Sequence, residues 1–72
     1  MSPSLQGYFF TMAEPGIVVI HEEQAQYRMD EAALEEGIKN IQENRRAYTE
    51  QAYYLESLQM MQVALAFLKE HS

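Results

Sequence analysis

Apolar and polar positions change their rhythm once along this chain. From residue 7 to 21, GYFFTMAEPGIVVIH, aromatic and β-branched residues cluster on either side of Glu-Pro-Gly. Proline presets the second position of a turn and glycine accepts positive φ at the third, so residues 14–17 fit a type II turn. Short strands are expected at about 8–12 and 17–21. A Pro-Gly type II turn twists against a tight two-residue hairpin, so a wider loop or unpaired strands are expected. Residues 22–29, EEQAQYRM, read equally as a strand extension or as a first helical turn.

From Asp30 the pattern is helical. Asp30 is a good N-cap. Met29 before it and Leu34 after it match a hydrophobic staple, and Glu31, Glu35 and Glu36 sit near the positive end of the helix dipole. Two heptad-spaced seams then follow. The first is Leu34, Ile38, Ile41, Arg45, Tyr48, Ala52 and Leu55. The second is Ala47, Gln51, Tyr54, Leu58, Met61, Leu65 and Leu68. Overlapping seams on different faces predict a helix that meets different neighbours along its length. In the last third even the off-seam residues Met60, Val63, Ala66 and Phe67 are apolar, as in a helix buried on all sides.

These patterns predict a mainly α protein, one small domain over 1–72. A strand-rich segment at 1–29, with a hairpin as one option, precedes a helical segment at 30–70. The favoured form of the latter is one long or kinked helix, with a helical hairpin broken at Asn40 or Asn44 as the alternative. An unbroken helix over 30–70 would be about 60 Å long, too long to bury its own end in so small a monomer. Helix-mediated oligomerisation, a dimer first of all, is therefore expected, with Tyr54, Leu58, Met61, Leu65 and Leu68 as the self-association residues.

Composition sharpens this picture. The 72 residues include no cysteine, so disulfides and thiolate metal sites are excluded. The N-terminus lacks the basic and apolar regions of a signal peptide. The longest nearly apolar run, MMQVALAFL, is far short of the about 20 residues of a membrane span. A cytoplasmic protein is expected. The net charge is −6, concentrated in Glu14, Glu22, Glu23, Asp30, Glu31, Glu35 and Glu36, with Arg28 as the only base among them. No basic face is visible for nucleic acid or for an anionic membrane.

Candidate chemistry is thin. His21 precedes Glu22 and Glu23, but position 25 is Ala, so no H-E-x-x-H zinc pattern forms. The serines have no nucleophile-elbow setting, and the three glycines are scattered. Adjacent carboxylates such as Glu35 and Glu36 point about 100° apart on a helix. No enzyme activity, metal or cofactor is expected. What remains is recognition. Arg45, Arg46, Tyr48 and Tyr53 combine side chains common at interface hot spots, and they are the expected partner-binding residues, together with an exposed edge of the 17–21 strand. The expected function is a small non-catalytic regulator or inhibitor that masks a surface of another protein. A small chaperone or structural subunit, and an acidic nucleic-acid mimic, are the alternatives.

Overall fold

The computed structural model describes residues 7–44 and 51–71, with backbone alone at 51–53. Three strands, β1 (Phe9–Glu14), β2 (Ile17–His21) and β3 (Gln26–Asp30), precede two helices, α1 (Glu31–Glu43) and α2 (Gln51–His71). The strands form one antiparallel sheet in the order β1-β2-β3. This α+β architecture replaces the expected mainly α fold and its long helix.

The β1–β2 connection is tight, where a wider loop was expected. Pro15 and Gly16 alone separate the strands, with Gly16 at φ 87. The register explains how the strands still pair. Met12 faces Val18 and Glu14 faces Ile17, which leaves Ala13 as an extra residue. Such a bulge adds local right-handed twist and offsets the splay that this turn imposes on a hairpin.

β3 settles the ambiguous stretch as strand. Gln26 to Asp30 pair with His21 to Ile17, and the Glu22 N–H donates to the Ala25 carbonyl at 2.9 Å across the connecting loop. No residue of that loop is a glycine or proline, and none has positive φ. β2 is consequently the central strand. The expected free edge at 17–21 does not exist; β1 and β3 supply the edges.

Strand alternation sends Tyr8, Phe10, Met12, Val18, Ile20 and Met29 to one face of the sheet. Both helices cover that face. Phe10, Val18, Ile20, Leu34, Ala64 and Leu68 form the buried cluster, ringed by the methionines at 12, 29, 60 and 61 and by Phe67. The rings of Phe10 and Phe67 meet at 5.8 Å between centroids. On the opposite face Phe9 remains 62% exposed. It stacks on His21 at 4.3 Å, and His21 Nε2 also lies 2.7 Å from Thr11 Oγ1.

Asp30 caps α1 as its sequence position suggests, accepting from the Ala33 N–H at 2.7 Å. The helix ends at Asn44, one of the two expected break points, though by a different device. Asn44 has φ −110, outside the left-handed region, and both its backbone N–H and its side-chain amide donate to the Asn40 carbonyl. α2 then folds back along α1, so the chain's longest extent is 35 Å. Gly37 makes room for this approach. A Cβ there would come within 2.7 Å of Met61 Sδ.

Candidate functional site

The inner face of the sheet is longer than the helices cover fully. At one end Tyr8 just before β1, the β2–β3 loop, β3 and the early turns of α2 line a cleft of about 540 Å³. Tyr8, Glu22, Tyr27, Met29, Glu56, Ser57, Met60 and Met61 line it, and a shallower extension reaches Gly7, Glu23 and Gln24. Four separate segments of sequence converge here. Strand alternation places Tyr27 and Met29 on the same side as Tyr8, while helical spacing brings Glu56, Met60 and Ser57, Met61 round to face them.

Thioethers floor the cleft and oxygens rim it. The Tyr8 hydroxyl donates to Glu56 Oε1 at 2.8 Å, and the Tyr27 hydroxyl donates to Glu22 Oε1 at 3.0 Å. Each phenol thus holds one carboxylate at the mouth. No lysine or arginine is among the described residues that line the cleft.

The excess negative charge is felt by Tyr8, whose pKa rises from 10.0 to about 12. Its hydrogen bond to the Glu56 carboxylate is the main cause, followed by desolvation and by the charges of Glu56 and Glu22. The folded chain therefore holds this proton more tightly than the unfolded chain does. The associated stabilisation is complete below pH 10 and is lost as pH rises through about 12. In a tyrosine-resolved NMR titration Tyr8 should ionise about two units above an ordinary phenol, and Glu56→Gln should return it most of the way. Ionisation of Tyr8 near 10 in the parent protein would contradict this account.

The residues expected from sequence to mediate contacts are dispersed. Arg45, Arg46 and Tyr48 lie outside the described residues, as does the side chain of Tyr53. Leu68 is 2% exposed and belongs to the core of the single chain. Met61 lines the cleft, and Leu65 packs at the margin of the core. Tyr54 is half-buried. Leu58 is half-buried too, and with Leu55, Gln59 and Gln62 it lines a shallow depression on α2.

Most of the cleft was missed by sequence reasoning. Tyr8 and Tyr27 belong to no heptad seam, and Glu22 reads as part of a solvated charge run. The alternation of Tyr27 with Met29 is the only local signal that these residues share a face. Among the described residues no group of three His, Asp or Glu side chains could hold a metal ion, and no helix is long and apolar enough to cross a membrane. No protein-family model, curated protein or solved structure matches the chain.

Proposed function

We propose that the protein is a small non-catalytic interaction module of the cytoplasm that takes up a segment of another protein in the methionine-floored cleft and so masks or regulates that partner. The cleft itself carries this reading. It combines an adaptable apolar floor with a few convergent polar groups, the composition of a recognition site. Methionine side chains repack around irregular partners at small cost, which suits peptide capture better than the positioning of a reacting group. Displayed-peptide selection tests the reading, with Met60→Arg, which fills the cleft and is charged, as the comparison bait. Peptides enriched on the parent protein should lose binding to Met60→Arg. Peptides that bind both proteins equally would place recognition elsewhere.

A second reading, self-association, is favoured by the outward side of α2. Leu55 is 50% exposed there, and Leu55, Leu58, Gln62 and Leu65 follow alternating steps of three and four. This stripe is narrower than the seam expected from sequence, because Met61 and Leu68 face inward. Leu55→Asp, at the half-exposed position of the stripe, should leave the helical circular-dichroism signal in place while reducing the sedimenting mass to the 8.4 kDa chain. A parent protein that already sediments as a monomer at high concentration removes this reading.

A further inference from the structure

We propose that the cleft is built for a lysine side chain presented by an extended, basic segment of the partner. The inference rests on the peptide-capture reading above and adds the chemistry of the anchor. Its first support is the match of shape and polarity along the depth of the cleft. A lysine has four methylenes capped by a compact charge, and it routinely lays its stem on apolar surface while its head stays among polar groups. Here Met29, Met60 and Met61 supply the surface, and Glu22, Glu56, Tyr8 and Tyr27 stand at the mouth.

The second support is charge. Among the described residues two carboxylates line the cleft, neighbouring Glu23 adds a third at its extension, and none of the lining side chains is cationic. Arg28 pairs instead with Glu14, at 4.0 Å. An apolar chain entering alone would desolvate carboxylates without compensating them, and an acidic one would be repelled. A cation relieves the repulsion and can also lie against the electron-rich faces of the two tyrosines.

The third support separates lysine from arginine. Guanidinium is favoured where it can fork across both oxygens of one carboxylate. In this cleft Oε1 of Glu22 and Oε1 of Glu56 each accept from a tyrosine hydroxyl. Each oxygen keeps a second lone pair, but the phenol occupies one side of it, which handicaps a fork across both oxygens of a single carboxylate. An ammonium, with three donors and no planar fork, is suited to take single oxygens from two different carboxylates.

The test uses a capped pentapeptide with lysine at its centre and alanine on either side, titrated into the full chain with methyl-labelled methionines. The methyl signals of Met29, Met60 and Met61 should shift. Replacing the central lysine by acetyl-lysine should weaken binding about tenfold or more, as should Glu22→Gln combined with Glu56→Gln. Tyr8→Phe provides a second variant that leaves the carboxylates in place. It frees Glu56 Oε1 and should improve the arginine peptide relative to the lysine peptide. Acetyl-lysine or norleucine binding as tightly as lysine would overturn the lysine assignment while leaving peptide capture intact. An arginine peptide that outcompetes lysine on the parent protein would overturn it as well. If no peptide moves these methyl signals, and the selection above also yields no cleft-dependent binder, both the anchor and the capture reading fail.

Discussion

Leu34→Ala should lower the free energy of unfolding by about 2–5 kcal/mol. Leu34 is fully buried where α1 meets the sheet, in the cluster with Phe10, Val18, Ile20, Ala64 and Leu68. Its truncation removes transfer energy and leaves a cavity that strands and helices together cannot close. A chain of 72 residues sustains only roughly 4–11 kcal/mol in total, at about 0.05–0.15 kcal/mol per residue, so the variant stands near its unfolding threshold. Urea denaturation should show a lower midpoint with an unchanged slope. Leu55→Ala is the matched control, because Leu55 is half-exposed on the outer side of α2, and it should stay within about 0.5 kcal/mol of the parent. Equal losses from the two substitutions would mean that the core does not lie between the sheet and the helices as described.

Ala64→Leu should destabilise the fold by about 1–3 kcal/mol, through overpacking rather than loss of contact. Ala64 has no exposed surface, and its small side chain is what lets α2 lie close on the sheet face that carries Val18 and Ile20. Added methylenes there must push α2 away from its neighbours or force side chains out of their rotamers. Ala66→Leu, two residues along on the exposed side of the same helix, should be nearly neutral. Paired thermal melts of the two variants decide the matter. A stabilised Ala64→Leu protein would reveal unfilled space between helix and sheet.

Ala64 also shows where reading the sequence stops short. It belongs to neither heptad seam, because those seams follow the large side chains, whereas the closest approach of two elements is often marked by a small one. Two strands, expected at about 8–12 and 17–21 and found at Phe9–Glu14 and Ile17–His21, were legible from Pro-Gly chemistry and from aromatic and β-branched residues, and the start of α1 was legible from Asp30. β3 was not. Only Tyr27 and Met29 turn inward along it, too few to distinguish a two-residue period from a helical one, and its loop carries no turn residue. The break at Asn44 was legible as a place but not as an event. Residues around it are good helix formers, and the preference for two helices comes from the apolar sheet face that α2 covers when it folds back. A three-stranded sheet with one apolar face offers more burial than a single extended helix could find. The cleft was illegible for a related reason. Its residues are brought together by strand register, a loop and a helix return, none of which any local pattern encodes.

The order of the elements carries a consequence for biosynthesis. All strand pairings in the β1-β2-β3 meander are between sequence neighbours, so they close short loops and can form early. Part of the cover for the inner face of that sheet, Ala64 and Leu68, is made only after α1 and most of α2, whereas Leu34 follows directly behind β3. Until then Val18 and Ile20 are only partly covered, on a sheet with unpaired edges, the kind of surface on which chaperones act and neighbouring chains aggregate. A chain that stops before Ala64 keeps that face partly bare, so truncated translation products should aggregate more readily than the full chain.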